Sequence, residues 1–360
     1  MLCVLLSPNV FNKIDLDTSV WVALALGLIL IALVLRSIRN YRAMPEICPL
    51  AAGNPAPDCM VIIPARNEEG SVGVAVRSLP PDSVIVVDDF SDDKTGDVAR
   101  EAGAGVLPAP PLLGGAVGKS NACMEGARVL TSRWILFADA DTRFEAGFLD
   151  AVVTAGEAGQ IDFLSVYLKP EFHTLAESTL SPYAVALYFC GINPRADPAS
   201  AFNGQCLLVK RSPYEFVGGH KALLSSVCED LKLAALAERH RLKLAVMRAP
   251  RLGNVRIHPG DFERNASRFA LGNLGRGLRI AFAAAVWALW LPALGFLLLR
   301  NQFLAAALWA LVPSLLLGPW YGWSRAILAP LAIYAILPLL FHGALAAVTN
   351  RHFEWKGRVV

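Results

Sequence analysis

Between Cys59 and Arg248 short apolar runs alternate with stretches whose apolar residues recur at helical spacing. Cys59–Ile63, Val84–Val87, Trp134–Ala138, Asp162–Tyr167 and Phe202–Arg211 read as strands. Helices are predicted after Pro64-Ala-Arg-Asn-Glu-Glu69 to about Leu79, after Asp88–Thr95 to about Ala102, and from Gly118 to about Leu130. Tyr214–His220 reads as a short helix with a Gly-Gly stop, and a further helix follows Cys228. Helices between buried strands imply βαβ units, an α/β fold and a mostly parallel sheet. In such a sheet ligands bind beyond the carboxyl ends of the strands. That rule puts Pro64–Glu68, Asp88/Asp89 and Asp139/Asp141 along one rim.

The flanks follow a different pattern. Residues 1–17 are short and mixed, and Thr18–Leu35 has no charged residue, enough for a membrane-spanning helix assigned to 18–37. Arg36, Arg39 and Arg42 follow it, which by the positive-inside rule places the next segment in the cytoplasm. A linker at 38–57, Pro-containing from Pro45 to Pro57, leads to the domain at 58–250, and a basic region occupies 251–279. Ile280–Leu299, Asn301–Ser324 and Ala326–Asn350 carry no Lys, Arg, Asp or Glu, so 280–350 is expected to hold two to three transmembrane helices. Three crossings would leave the basic tail at 351–360 outside; a re-entrant segment would avoid this. Trp287, Trp290, Trp309, Trp320 and Trp323 suit either an interfacial belt or packing between helices.

Composition agrees with this division. A hydrophobic share of 55% with only 18% charged residues exceeds what an ordinary soluble domain carries. A net charge of +3, spread along the chain, is too small and too dispersed to argue for nucleic acid as a partner. The seven cysteines form no Cys-x-x-Cys and read as small buried hydrophobes in a reducing compartment.

The chemistry gathers at a few carboxylates. Asp139 and Asp141 end an apolar strand with only Ala140 between them, and on an extended segment they share one face. Two such carboxylates repel unless a cation lies between them, and hard oxygen ligands suit Mg²⁺ or Mn²⁺ on a diphosphate. A solvated turn is the alternative. Asp230 stands at a helix start, either as an N-cap or, beside Glu229, as a general base. Thr174–Cys190 is apolar with Tyr183, Tyr188 and Phe189, and is either a buried helix or an element facing lipid.

Pro-Ala-Arg-Asn-Glu68, Val-Val-Asp-Asp-x-Ser-x-Asp-x-Thr95, Gly118-Lys-Ser-Asn-Ala122, Asp139-Ala-Asp141 and Glu229-Asp-Leu231 occur in an order and spacing that resembles family 2 glycosyltransferases. The likeness is to the membrane-bound branch with hopene-associated and carotenoid (diaponeurosporenoate-type) enzymes, and more distantly to ceramide glucosyltransferases. It covers roughly residues 59–280.

The resemblance implies a GT-A-type nucleotide-sugar domain. Pro64, Ala65, Arg66 and Glu68 would line the nucleotide pocket, Asp88 or Asp89 would bond the uracil or ribose, and Lys119 would approach the phosphates. Asp139 would contact ribose or metal-bound water, Asp141 would hold the cation, and Asp230 with Glu229 would supply the base. Arg268 and His220 fall on the acceptor or interface side. The family's processive members carry Gln-x-x-Arg-Trp; here Asn265-Ala-Ser-Arg268-Phe269 departs from it twice, which weighs against a polysaccharide synthase. The expected activity is inverting, metal-dependent transfer from a nucleotide-sugar, UDP-linked by family weight, to a membrane lipid such as a hopanoid or carotenoid. The expected setting is an integral protein of the inner membrane with its catalytic domain cytoplasmic. A non-catalytic protein on a transferase-like fold is the remaining alternative.

Overall fold

The computed structural model describes residues 18–50, 58–112, 114, 116–226, 228–256, 274–307, 309–311, 331–335, 337–338, 341, 354–355 and 358–359. Helix α1 (Thr18–Ala43) precedes β1 (Cys59–Ala65), α2 (Val72–Arg77), β2 (Val84–Asp88), α3 (Thr95–Glu101) and β3 (Gly105–Pro108). Then come α4 (Gly118–Val129), β4 (Trp134–Ala138), β5 (Thr142–Phe144), α5 (Phe148–Ala158), β6 (Phe163–Tyr167) and β7 (Lys169–Glu171). Helix α6 (Leu175–Gly191), β8 (Cys206–Lys210), α7 (Arg211–Phe216), α8 (Glu229–Arg239), β9 (Leu244–Arg248) and β10 (Gly253–Arg256) complete the domain, and α9 (Leu274–Ala288) and α10 (Trp290–Leu299) follow.

Seven strands form one sheet in the order β3-β2-β1-β4-β8-β6-β9, parallel except for β8, which runs against both β4 and β6. Val61, Ile62, Ile63, Leu136, Phe163 and Leu208 are fully or almost fully buried, as strands covered on both faces require. The chain proceeds outward from β1 to β2 and β3, then returns to place β4 on the other side of β1. That reversal is a topological switch point, where a crevice opens between strand ends. Pro64 lies beyond the last registered pair with β4, Ile62 with Phe137, so its missing N–H costs the sheet little.

The short strands carry no pattern that announces them. Strands β5, β10 and β7 make a second small sheet, in which Thr142–Phe144 pairs with residues 253–255 far along the chain. Phe202–Lys210 is a strand only from Cys206; Pro198–Ala201 is a 3₁₀ turn and 203–205 a loop. The linker is attached at its start: Ile47 N–H donates to Arg248 O, Arg248 N–H to Pro45 O, and Glu46 pairs with Arg248 and Arg251.

Helix α6 packs against both α1 and α9, which also touch each other. Its residues 185–190 are buried apart from half-exposed Tyr188, so this half is a buried helix, and Tyr41, Tyr167, Tyr188 and Phe189 form an aromatic cluster, mostly edge to face. Its C-terminal carbonyls are capped from both neighbours. Arg36 Nε donates to Cys190 O, Arg279 Nε to Gly191 O, and Asn40 Nδ2 to Phe189 O and Ile192 O. Cations there satisfy groups a helix end leaves open and oppose its negative pole.

Leu24–Ala43 and Leu278–Leu299 are long and apolar enough to cross a membrane. Trp290 and Trp309 exchange indole-to-carbonyl hydrogen bonds and both are buried with Trp287, so these three pack between helices. Trp320 and Trp323 lie outside the described residues. Five of the six cysteines described are buried and all six are free; Cys48 is exposed, unlike the sequence expectation.

Candidate active site

Asp139 and Asp141 follow β4 at the switch point, but not on an extended strand. Thr142 N–H and Oγ1 both donate to Asp139 O, closing a turn in place of the predicted extended pair. Asp139 N–H donates to Gln205 O, which ties this turn to the loop before β8.

Lys119, at the start of α4, reaches into the same crevice. Its Nζ lies 2.7 Å from Asp139 Oδ1, 3.1 Å from Glu229 Oε1 and 3.3 Å from Gly204 O. Burial alone would lower the Lys119 ammonium, yet the Asp139 and Glu229 carboxylates outweigh it and hold the group above the ordinary lysine range. Glu229 is only 5% exposed, and this lysine offsets part of the cost of burying its charge. Lys119→Met should therefore cost about 3 kcal/mol of stability, with the Lys119→Met/Glu229→Gln pair losing clearly less. Denaturant unfolding of the two chains checks this; equal losses would show that Glu229 does not depend on Lys119.

Asp230 is in the first turn of α8, whose N-cap is Cys228, so it is not the N-cap. Its Oδ2 accepts from Gly204 N–H at 2.9 Å and its Oδ1 from Leu231 N–H at 2.8 Å. The positive pole of α8 complements the carboxylate. A Cβ on Gly204 would stand 3.3 Å from Asp230 Cβ and 3.4 Å from both Glu229 Oε1 and Lys119 Nζ. Gly204 is thus the position where three site side chains meet, in a loop and not in the strand expected from Phe202 onward. The polar Asn-Gly-Gln run just before an apolar strand was the signal.

On the β1–β2 side, the expected nucleotide residues mainly hold two loops together. Arg66, 7% exposed, donates from Nη1 to Asp89 O and Phe90 O, at 2.7 and 2.6 Å. Glu68 N–H donates to Thr95 Oγ1 and Asp88 Oδ1 accepts from Ser91 N–H. Asp89 is 2% exposed, which leaves half-exposed Asp88 as the more accessible of the pair. Ala65 is buried and Pro64 half-buried at the end of β1.

The structure places His220 inside the domain, not at an acceptor surface. It is 3% exposed against Phe137 and Tyr214, whose hydroxyl pairs with Nδ1 at 2.9 Å and accepts His220 N–H. Burial pushes the imidazole down to about 4, consistent with a neutral ring accepting from the tyrosine. Gly219 permits this contact: φ is +50° and a Cβ would meet Tyr214 Cζ at 2.4 Å. Arg268 lies outside the described residues. From the basic region, Arg256 is described: its Nη2 is 2.8 Å from Glu177 Oε1, at the capping box that starts α6, and its N–H donates to Asp141 O.

Among the described residues no cluster of three or more His, Cys, Asp and Glu side chains could hold a metal. Mg²⁺ and similar hard cations are commonly bound by one or two carboxylates plus substrate phosphates. Asp139 and Asp141 fit a cation shared with a diphosphate, and do not fit a cage built by the protein alone.

The open α/β sheet thus carries carboxylates and a lysine beyond its switch point. Residues 60–175 match the family model "Glycosyl transferase family 2", and this stretch is a family 2 glycosyltransferase domain. The chain is 30% identical over 216 residues to the 4,4'-diaponeurosporenoate glycosyltransferase of Staphylococcus haemolyticus, covering 56% of this chain and 57% of that one. It is 30% identical over 200 residues to the protein of that name from Staphylococcus aureus strain USA300, covering 52% of each. The match thus spans about half the length of these relatives. A mannosyltransferase from Pyrobaculum calidifontis, solved with GDP-Man and Mn²⁺, shares the fold at TM-score 0.53 and 16% identity, over 91% of this chain and 98% of that one.

Proposed function

We propose that this protein transfers a sugar from a nucleotide-sugar to a hydroxyl or phosphate of a membrane lipid, with inversion at the anomeric carbon. One observation carries the reading: Asp139, Lys119, Glu229, Gly204 and Asp230 form a continuous chain of contacts across the crevice at the switch point. The nucleotide would lie over Pro64–Glu68 and Asp88, and the donor diphosphate would reach Asp141 and Asp139. A divalent cation held there, Mn²⁺ or Mg²⁺, would offset the charge that builds on the leaving diphosphate.

Lys119 bridges the donor carboxylate and the start of α8, so it sets their separation. Asp230 takes the proton of the attacking hydroxyl as the new bond forms, while Gly204 N–H keeps its carboxylate aimed. A single base with no second nucleophile leads to inversion. The relatives' names support an apolar carotenoid-like acceptor, and two span-length helices beside α6 support its delivery from a membrane.

The test uses the full chain in detergent with Mn²⁺, UDP- and GDP-linked sugars, and a bacterial lipid extract. A new glycolipid of inverted anomeric configuration is expected. A retained configuration, or transfer to water-soluble acceptors alone, overturns the proposal.

A further inference from the structure

A cavity of about 750 Å³ opens where the C-terminal end of α1 meets the loop after α6. Arg36, Arg39, Arg42 and Arg195 line it together with Asn40 and Asn193, and no acidic residue is among its lining. Among the described residues none of the four guanidiniums is in an ion pair, although four charges of one sign share the space. The nearby acid, Asp197, is turned to its own backbone, where Oδ1 accepts from Ser200 N–H. Arg36 spends Nε on Cys190 O, and Asn40 spends its amide on Phe189 O and Ile192 O. The cavity wall is thereby braced while Arg39, Arg42 and Arg195 remain exposed. It shares no residue with the carboxylate–lysine cluster.

The face of α1 that leads to this cavity is apolar. Leu28 and Leu35 are 68% and 52% exposed and stand seven positions apart, so they project to one side, with Arg39 and Arg42 next along the same face. The opposite positions, Leu30, Val34 and Ser37, are buried toward α6. A ligand matched to this surface has an apolar tail running beside Leu28 and Leu35 and an anionic phosphate at the arginines.

We propose that the cavity binds the phosphodiester headgroup of an anionic phospholipid, at a site separate from sugar transfer. The inference rests on the membrane reading of α1 but not on the transfer chemistry. Arginine suits the role because its planar fork donates in pairs to phosphate oxygens. Basic clusters at the end of an apolar helix bind anionic headgroups by the same electrostatics.

The test titrates the full chain in nonionic detergent with dioctanoyl phosphatidylglycerol, dioctanoyl phosphatidylcholine and glycerol 1-phosphate, reading bound adducts by native mass spectrometry. Phosphatidylglycerol should bind at least tenfold more tightly than the other two. The Arg39→Gln/Arg42→Gln/Arg195→Gln chain should lose that affinity at least tenfold, and its Lys counterpart should lose it only partly. Nucleotide-sugar affinity, measured without acceptor, should stay within twofold in the Gln chain, which separates failure here from failure at the transfer site. Equal binding of the two phospholipids, full retention in the Gln chain, or parallel loss of nucleotide-sugar affinity overturns the proposal. Glycerol 1-phosphate binding as tightly as phosphatidylglycerol overturns the lipid source. Should the triple Gln chain fail to fold, Arg195→Gln alone, on a loop, must weaken phosphatidylglycerol binding severalfold; unchanged affinity there also overturns it.

Discussion

Asp230→Asn should transfer sugar about 10³-fold more slowly than the parent chain while binding the nucleotide-sugar with unchanged affinity. The substitution is close to isosteric, and the amide oxygen can still accept from Gly204 N–H, which holds the loop at 203–205, while the bond from Leu231 N–H is given up. What is lost is the capacity to take a proton from a hydroxyl whose own acidity is far too weak for it to attack as an alkoxide. Steady-state transfer with a saturating donor, paired with donor titration, separates the two effects. Unchanged turnover would show that Asp230 only holds Gly204. A matched loss of donor affinity would show that it belongs to the donor pocket.

Asp141→Ala should lower transfer by at least about 10²-fold and abolish any enhancement of nucleotide-sugar binding by Mn²⁺. The pair at the end of β4 can be separated because the two residues are tied differently. Asp139 is engaged by Lys119 at 2.7 Å, so Asp139→Asn disturbs the lysine and Glu229 as well as any bound cation. Asp141 accepts Arg256 N–H through its backbone O, a bond that the alanine retains. Calorimetric titration of the donor with and without Mn²⁺, and after chelation, reads the effect. If Asp141→Ala retains full Mn²⁺-dependent binding, the cation is held elsewhere.

The strands that form the sheet's core were legible because each is buried on both faces. Ile62, Leu136 and Phe163 could only be apolar, and the polar residues that follow β1, β2 and β4 mark their carboxyl ends. Strands β5, β7 and β10 were not legible. Three or four mixed residues make no pattern, and Thr142–Phe144 finds its partner only at residues 253–255. The linker's attachment through Glu46 to Arg248 and Arg251 is hidden for the same reason, since its partners lie some two hundred residues away.

The candidate site divides along the same line. Asp139, Asp141, Asp230 and Lys119 could each be named from the chain, because each follows a strand or opens a helix in a recurring motif. The resemblance sets His220 on the acceptor side, and only the packing of Tyr214 across Gly219 shows it inside. Arg66 could be placed near the nucleotide, but its guanidinium is committed to two loop carbonyls. Gly204 has no side chain to attract notice, and its importance is the space it leaves.

By itself the sequence determined the class of fold, the rim on which the polar residues gather, and apolar stretches long enough to span a membrane, because all three follow from where hydrophobic residues recur. Only the tertiary structure decided that Lys119 joins Asp139 to Glu229, that Gly204 N–H aims Asp230, and that Asp139 and Asp141 lie in a turn. Those facts depend on distances between segments that are remote in the chain, and periodicity carries no information about such distances.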